Sequence, residues 1–335
     1  MSILRHKFLK KYAPPLIIAE LGLNHNGSVN LAKKSIRAAK LAGADIVKIQ
    51  TFKTESLCST KSKYFKFFKN CELNKKQLID IFNFATEEKI PIFSTVLDQW
   101  SADIISDFNP PFIKIASGDI THIPLIKYVA KKNIPIILST GASNIKEIKE
   151  AVKSIVKTNK KLPYYLLHCI SNYPTNPEDT NMLCMKTMKE KFRVPIGFSD
   201  HTTSNETSLV AVTLGAEIIE KHFTLDKKLK GPDHALSANP KEFSLLVKSL
   251  KIVNKIKGQS SKKLVEGNKL VFLIRRSLFA NKTIKAGEKI KITDINISRP
   301  AKGIEPKFID KVIGKKPNKT IKKDSPITWN YFKKL

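Results

Sequence analysis

The chain has 335 residues, with 60 lysines and arginines against 29 aspartates and glutamates, and therefore a formal net charge of +31. Its hydrophobic fraction of 41% suffices for one large core and a second, small domain. No apolar run approaches the ~18 residues of a membrane span, and charges and prolines interrupt the first twenty residues. We therefore expect a cytoplasmic protein with no signal peptide and no membrane partner.

The positive charge does not indicate a nucleic-acid partner. Only six of the 60 basic residues are arginine, and the lysines are scattered through helical stretches, as is typical of a solvated surface. The four cysteines, Cys58, Cys71, Cys169 and Cys184, form no CxxC motif, so we predict free thiols in a reduced compartment. Cys169 lies in an apolar strand and is interpreted as a packing residue rather than a nucleophile.

Eight short apolar runs recur along the chain, and stretches with helical periodicity separate and follow them. The runs cover residues 16–24, 45–52, 90–96, 112–117, 134–140, 164–170, 194–200 and 216–224. Continuous apolar runs are typical of parallel strands buried on both faces, and their alternation with helices indicates βαβ units. Eight such units predict an α/β protein with a closed (β/α)8 TIM barrel, and the lack of GxGxxG after the first strand disfavours a dinucleotide-binding fold.

The last part of the chain has a different character. A polar stretch, GQSSKKLVEGNK, follows residue 258 and precedes short β-rich runs separated by the turn sequences KAG, PAKG and GKKP. We therefore predict a barrel domain over residues 1–257, a linker over 258–274 and a small β-rich domain over 275–335.

Polar residues end every predicted barrel strand, and parallel strands place these ends on one rim, where barrel enzymes carry their active sites. Lys48 and Lys114 interrupt apolar strands, where a charge is costly unless an anion meets it. We favour a phosphate or carboxylate ligand as this anion, the alternative being a protein carboxylate such as Glu20 or Asp119. Hydroxyl groups at the same strand ends supply further donors: Ser94, Thr95, Ser117, Ser139, Thr140 and Ser199.

Two histidines at adjacent strand ends suggest a divalent metal site. His222 ends the eighth strand, and His201 follows GFSD at the end of the seventh. Two imidazoles with open coordination positions describe a catalytic rather than a structural site. Glu20, a carboxylate inside the first apolar run, is the candidate general base, whereas the role of His234 in GPDH stays open.

These residues lie in motifs that resemble a known family: IIAELGLNHNG, KIQTF, FIKIASGDITH, PIILSTGAS, IGFSDHT and EKHFTLDKKLKGPDHALS. Together they resemble the bacterial N-acetylneuraminate (sialic acid) synthase family, including its legionaminic and pseudaminic acid branches, over nearly the whole chain. The stretch from RRSLFANKTIKAGE to FIDKVIGKK resembles the SAF (antifreeze-like) domain that this family carries.

The resemblance implies a transferase that condenses phosphoenolpyruvate with N-acetylmannosamine or a related open-chain aminosugar and releases phosphate. It also implies a divalent ion on His201 and His222, commonly Mn2+, with Mg2+ or Co2+ as alternatives. Glu20 matches the family's acid/base carboxylate. The positions that match phosphoenolpyruvate-binding residues are Lys48, Thr95, Lys114, Ser117, Ser139 and Ser199. The positions that match sugar-contacting residues are Gln50, Asp119, Tyr173 and Asp233.

The family's domain-swapped homodimer would bring Arg299 of one subunit over the partner's active site, next to both substrates. Two positions depart from the family pattern, because Asp119 stands where glutamate is frequent and Ser171 where some members have asparagine. The alternatives that we consider are legionaminate synthase, pseudaminate synthase and a 3-deoxy sugar-acid phosphate synthase. A carbohydrate- or nucleic-acid-binding protein built on an inactive barrel is a further alternative.

Overall fold

Eight parallel strands close into a barrel in sequence order, and the eighth strand pairs with the first. The computed structural model describes residues 14–258 and 260–332, and each of these two ranges forms a compact unit. The predicted (β/α)8 barrel is confirmed. Its strands are β1 (Leu16–Gly22), β2 (Ile46–Thr51), β3 (Ile92–Val96), β4 (Ile113–Ile115), β5 (Ile136–Ser139), β6 (Tyr164–His168), β7 (Ile196–Asp200) and β8 (Ile218–His222).

Helices connect the strands, and many of them begin at side-chain caps. Asn74, Asp98, Asn144 and Asn239 each accept the N–H of the third helical residue, whose side chain bonds back to the cap residue. The helices of the barrel unit are α1 (Val29–Leu41), α2 (Thr54–Leu57), α3 (Phe65–Cys71), α4 (Lys75–Glu87), α5 (Gln99–Asp107), α6 (Ile123–Ala130), α7 (Ile145–Thr158), α8 (Cys184–Phe192), α9 (Glu206–Thr213) and α10 (Pro240–Lys257).

Side-chain alternation divides the strands between two apolar layers. One set of residues fills the barrel interior: Leu16, Ile18, Ile46, Phe93, Phe112, Ile137, Leu167 and Ile218. The alternate set, which includes Ile17 and Ile219, packs in the layer that also contains the helix residues. Towards the carboxyl ends the interior positions become polar, as in the step from Ile18 to Glu20. The interior is therefore apolar at one end and polar at the other.

Glu72 anchors the long segment between β2 and α4 to the rim of the barrel. Its carboxylate accepts from Thr54 N–H and Oγ1 at 3.0 and 2.9 Å, and from the ammonium groups of Lys53 and Lys69 at 2.9 and 3.1 Å. Burial opposes the charge, but these hydrogen bonds lower the pKa of Glu72 to about 2. The Lys53 ammonium also lies over the Trp100 ring, 4.1 Å from its centroid. The Glu72 carboxylate thus joins the beginning of this segment to its end.

The second unit has its own small core and one antiparallel strand pair, β9 (Ser277–Ala280) and β10 (Ile295–Ser298). Its core residues are Leu278, Ala280, Ile284, Ile290, Ile304, Val312, Ile321, Ile327 and Phe332. A helix, α11 (Asn268–Ile274), lies within the stretch that the sequence predicted as linker, and Phe272 O accepts from Ala301 N–H at 2.8 Å. A single helical turn, α12, spans Ile309–Val312.

The described residues contain free thiols and no membrane-spanning helix. All four cysteines are free, as the spacing predicted. Within residues 14–258 and 260–332, no helix combines the length and the apolarity that a bilayer crossing requires.

The hydrogen bonds of Glu72 predict how the free energy of unfolding depends on pH. We expect Glu72→Gln to lower the free energy of unfolding by about 1–3 kcal/mol at pH 7, because charged hydrogen bonds are lost at a largely buried site. The pKa of Glu72 is near 2 in the folded protein and near 4.5 in the unfolded chain. The stabilisation is therefore complete above pH 4.5 and decreases as the pH falls towards 2. Urea unfolding from pH 7 to pH 3 measures both effects.

Glu55→Gln is the matched control for this experiment. Glu55 also pairs with Lys69 at 2.9 Å, but its side chain is 55% exposed, so we expect the free energy of unfolding to stay close to that of the wild type. Equal losses in the two variants would contradict the anchoring role of Glu72.

Candidate active site

A cavity of about 270 Å³ opens at the carboxyl ends of the barrel strands. Every strand, or the loop that follows it, contributes to the lining: Glu20, Lys48, Gln50, Thr95, Lys114, Ala116, Ser117, Gly118, Ser139, Ala142, Ser171, Tyr173, Ser199, His201, Glu220 and His222. Most of the residues predicted from the sequence are therefore brought together in one place. The predicted residues outside this lining are Ser94, Asp119, Thr140, Asp233 and Arg299. The hydroxyls of Ser94 and Thr140 donate instead to the backbone carbonyls of Ile49 and Leu167, at 3.2 and 2.9 Å.

Two lysines and two glutamates meet in this cavity. Lys48 Nζ lies 3.1 Å from Glu20 Oε2 and 3.0 Å from Glu220 Oε2. Lys114 Nζ donates to both Glu220 oxygens, at 2.9 and 3.0 Å. All four side chains are buried, and their charges balance. The partners of the buried lysines are thus protein carboxylates. Of the two carboxylates that the sequence offered as alternatives to a ligand, Glu20 is such a partner. The ion pairs among the described residues include none with Asp119.

Glu220 is the residue that sequence reasoning missed. Its signal is the same as that of the lysines, a charge inside the apolar run AEIIEKHF. It lies two residues before His222, so both side chains face the barrel interior. Besides the two lysines, Glu220 accepts from the Ser199 hydroxyl at 2.8 Å. A single carboxylate therefore joins both cations and one of the predicted hydroxyl donors.

The pKa values of the cluster follow from this pairing. Burial penalises the charged form of each group, but Lys114 and Lys48 overcome this penalty and hold the pKa of Glu220 well below its usual range. Burial also opposes the charge on Lys48, but Glu20 and Glu220 raise its pKa above the ordinary value. The pKa of Lys114 is lowered, first by burial and then by the nearby Lys48 charge. Lys114 is therefore the cation that loses its proton more easily.

The two predicted metal ligands lie on adjacent strand ends with their ring centroids 5.6 Å apart. His201 Nδ1–H donates to Ile170 O at 2.6 Å, so its Nε2 lone pair faces the cavity. The hydroxyl groups of Ser199 and Tyr173 each lie 3.2 Å from this nitrogen. Because Ser199 donates its proton to Glu220, the Tyr173 hydroxyl is the donor to His201 Nε2. Burial, and then the neighbouring His222, lower the pKa of His201 to about 3. His201 is therefore neutral, the form that binds metal ions.

The donor set fits a divalent ion with open coordination positions. The described residues contain no group of three or more His, Cys, Asp and Glu side chains arranged to hold a metal. His222 Nδ1 is buried without a hydrogen-bond partner and lies 4.0 Å from Asp233 Oδ2. Two imidazoles at this spacing could hold one ion, with the remaining ligands coming from water or substrate.

Buried polar atoms without hydrogen-bond partners are concentrated at this cavity. The described residues contain five such atoms, and four of them belong to residues that line the cavity. They are Thr95 Oγ1, Ser171 Oγ, His222 Nδ1 and Glu20 Oε2, the last of which has only its ion-pair contact with Lys48. Each unmet buried group costs about 1–3 kcal/mol. Their convergence indicates a site built to receive a polar ligand.

The loops after β4, β5 and β6 pack closely together at the cavity. Ser117 Oγ accepts from Gly141 N–H at 3.0 Å and contacts Cys169 Sγ at 3.1 Å. A Cβ atom at position 141 would lie 2.4 Å from Ser171 Oγ and 2.9 Å from Ser117 Oγ, so any other residue here would displace these hydroxyl groups. Cys169 is buried in this contact. Its position agrees with the packing role inferred from the sequence.

The remaining predicted residues border the cavity or lie in the second unit. Gln50 donates to Glu20 Oε1 at 3.2 Å. Asp119 follows the lining residue Gly118, and burial raises the pKa of its carboxyl group. Arg299 is an exposed residue of the second unit, directly after β10. His234 is buried and contacts Thr224 Oγ1 at 2.7 Å through its Nδ1; it therefore has a structural role in the loop after β8.

Comparisons with known proteins agree with this geometry. A model of the NeuB family matches residues 35–262, and a model of the SAF domain matches residues 275–333. The uncharacterized protein MJ1065 of Methanocaldococcus jannaschii is 43% identical, over 97% of this chain and 96% of that protein. The N,N'-diacetyllegionaminic acid synthase of Campylobacter jejuni is 39% identical, over 93% and 98% of the two chains.

A solved structure shows the same likeness. The crystal structure of the N-acetylneuraminic acid (sialic acid) synthetase of Leptospira borgpetersenii, in complex with citrate, is 36% identical to this chain. The two superpose with a TM-score of 0.74, over 77% of this chain and 90% of the other.

The charge balance of the cavity predicts the effect of removing Glu220. We expect Glu220→Gln to lower the free energy of unfolding by about 3–5 kcal/mol at pH 7, because Lys114 is left buried without its carboxylate. Burial then depresses the pKa of Lys114 further below its ordinary 10.5. The unfolded chain binds the extra proton, so the variant regains stability as the pH rises towards 10.5. Chemical unfolding at pH 7 and pH 10 measures the difference.

Glu217→Gln provides the control three residues earlier. Glu217 is 38% exposed and pairs with Lys189 at 3.7 Å, so its loss should cost less than about 1 kcal/mol at either pH. A Glu220→Gln protein with wild-type stability at pH 7 would show that the lysines do not depend on this carboxylate.

Proposed function

Because the chain belongs to the NeuB family, whose synthases form a carbon–carbon bond with phosphoenolpyruvate, we propose that it is a nonulosonic acid synthase acting on an open-chain N-acetylated aminosugar. The observation that carries this proposal is the cavity in which two lysines, two imidazoles and buried polar atoms without hydrogen-bond partners converge. This cavity offers cationic and hydroxyl donors to an anion beside a pair of nitrogen ligands.

Phosphoenolpyruvate carries a carboxylate and a phosphate, and the cavity has donors for both. We assign the anion to Lys48 and Lys114, with the hydroxyls of Thr95, Ser117, Ser139 and Ser199 as neutral donors. The four-charge cluster is neutral before the ligand binds, so the anion competes with Glu20 and Glu220 for the lysines. Thr95 Oγ1, which is buried without a partner, gains its hydrogen bond when the ligand binds.

The reaction joins C3 of phosphoenolpyruvate to the aldehyde carbon of the sugar, and the aldehyde oxygen takes up a proton. A divalent ion on His201 and His222, for which we propose Mn2+, supplies a Lewis acid for the aldehyde when bound. Water then adds at C2 and gives its proton to a base, after which the C2–O bond breaks and phosphate leaves. Glu20 is the proposed base, because its carboxylate faces the cavity and is held by Lys48 and Gln50.

The sugar has two candidates. The resemblance found in the sequence implies N-acetylmannosamine, which leads to N-acetylneuraminate. The 39% identity to a relative named N,N'-diacetyllegionaminic acid synthase supports 2,4-diacetamido-2,4,6-trideoxymannose as the second candidate. We propose that Gln50, Tyr173, Asp233 and Asp119 contact or orient the sugar, since they lie in or next to the lining around Glu20 and the histidines.

We further propose that the protein is a cytoplasmic homodimer in which Arg299 of each subunit reaches over the partner's cavity. The exposed guanidinium of Arg299 is free of ion pairs among the described residues, and it would add a bidentate donor for an anionic substrate. A domain-swapped arrangement agrees with the separate core of the second unit.

Phosphate release from phosphoenolpyruvate tests the proposed reaction. We expect release that requires both Mn2+ and an aminosugar and that stops when the metal is chelated. Turnover should be compared for N-acetylmannosamine, its 6-phosphate and the diacetamido sugar. His222→Ala should lower the rate by at least about 100-fold, because one of two metal ligands is lost. The control His122→Ala removes an exposed helix-cap histidine and should retain activity.

The sugars distinguish the alternatives within this experiment. The best free sugar identifies the product class, whereas preference for the phosphorylated sugar would favour a sugar-acid phosphate synthase. No release with any sugar would overturn the proposed reaction.

Mixing two inactive variants tests the role of Arg299. In a swapped dimer, Arg299→Ala keeps its histidines and His222→Ala keeps its arginine, so a mixed dimer contains one complete site. We expect refolded mixtures of the two proteins to be more active than either variant alone. Activity that stays at the level of the separate variants would mean that Arg299 serves its own subunit or neither.

A further inference from the structure

A buried ion pair lies one residue before each of the two histidines. Lys221 Nζ is 3.0 Å from Asp200 Oδ2, and at most 2% of either side chain is exposed. The two residues are direct partners in the pairing of β7 with β8. Successive side chains of a strand face opposite sides, so this pair lies outside the barrel, whereas His201 and His222 face the cavity.

Lys221 holds the chain on both sides of His201. All three of its ammonium protons have an acceptor: Asp200 before the histidine, and the carbonyl oxygens of Thr202 and Ser204 after it, at 2.6 and 2.8 Å. The lysine itself precedes His222 on β8. One side chain therefore connects the two segments that carry the imidazoles.

Asp200 completes this network from the other strand. Its Oδ1 accepts from Thr202 N–H and Oγ1 at 2.9 and 2.8 Å. Its Oδ2 accepts from Thr207 and Ser208, two residues of α9, at 2.9 and 2.6 Å. The carboxylate thus ties the loop after β7 to the following helix. Neither Asp200 nor Lys221 has a buried polar atom without a partner.

Stability alone does not explain these charges. A buried ion pair loses its hydration on folding, and apolar residues of similar volume are often as stabilising or more so. Phe198 and Ile219 already fill the same outer layer of the same two strands with apolar side chains. What the charged pair adds is a set of directional bonds, which hold the loop after His201 in one conformation relative to β8.

We propose that Asp200 and Lys221 are positioning residues for the divalent metal, because they set the separation and direction of the His201 and His222 imidazoles. This inference rests on the proposed function in one respect, namely that a metal ion binds between these histidines. The pair touches neither the cavity nor the ligands. It acts through the backbone on either side of His201.

The test compares the double variant Asp200→Asn/Lys221→Met with Ile219→Ala. The double variant removes both charges and keeps the side-chain volumes. Ile219 lies on the same strand and the same face as Lys221, so its truncation lowers stability without touching the loop at residues 202–204. Thermal unfolding ranks the stability of the three proteins, and Mn2+ titration followed by electron paramagnetic resonance, without substrates, gives the dissociation constants.

We expect the double variant to bind Mn2+ at least about tenfold more weakly than wild type, the lower end of the effect of residues that support metal ligands. Ile219→Ala should bind Mn2+ as wild type does, even at an equal or lower melting temperature. Hydrogen exchange in the peptide covering residues 201–206 should be faster in the double variant alone, since Asp200 and Lys221 no longer hold the loop. This second measurement needs no metal.

Other outcomes separate this inference from the proposed function. Unchanged Mn2+ affinity in the double variant, or a loss that Ile219→Ala reproduces, would overturn the positioning role while leaving the proposed reaction intact. A wild-type protein that binds no Mn2+ and releases no phosphate would overturn both. If the double variant does not fold, Thr207→Val/Ser208→Ala replaces it, because these substitutions remove two of the hydrogen bonds to Asp200 and leave the buried ion pair with Lys221 intact.

Discussion

The balance of two lysines against two glutamates inside a closed ring of strands is the constraint on which the active end of the barrel depends. Lys48, Lys114, Glu20 and Glu220 are buried at the same level of the interior. None of them could remain charged there alone, because the loss of hydration would be too large. Together they form a neutral cluster that still contains two cations, and an anionic ligand can bind to it by rearranging the pairs.

The same strands position the other side chains of the site, because successive side chains of a strand face opposite sides of the barrel wall. Inward positions carry the groups that line the cavity, and the outward positions beside them carry the groups that hold the strand ends in place. At β7 and β8 both kinds are present, since Ser199 bonds to Glu220 on the inside and Asp200 to Lys221 on the outside. The barrel therefore supplies a reactive surface and its support from consecutive residues.

The rim of the barrel is held by other interactions than the paired charges of the interior. The segment between β2 and α4 is held at its ends by Glu72, and Gly141 allows Ser117 and Ser171 to approach closely. Relatives with different named products share this barrel. We infer that the buried charge cluster and the histidines serve the common chemistry. The choice of sugar then belongs to the rim, where side chains can change without disturbing the paired charges.

The sequence by itself determined the barrel, its order of elements and most of the side chains that line the cavity. Apolar runs, helical periodicity and polar strand ends are local properties, and parallel strands in a closed sheet must bring all their carboxyl ends to one rim. Lys48, Lys114 and His222 could be selected because each is a polar or charged residue in an apolar run, and His201 because it directly follows the adjacent run. The small second domain could be predicted from its turns, but the helix within the predicted linker could not, because polar residues precede it and it is only seven residues long.

Only the tertiary structure decided which charges pair. Lys114 and Glu220 are 106 residues apart in sequence. A charge inside an apolar run marks each of them as unusual, but it does not show which charges pair. The same applies to Asp200 and Lys221. In the sequence they are two polar residues near strand ends, and only the register of β7 and β8 places them side by side. Pairing depends on distances of about 3 Å between strands, and these distances are set by barrel closure rather than by any pattern along the chain.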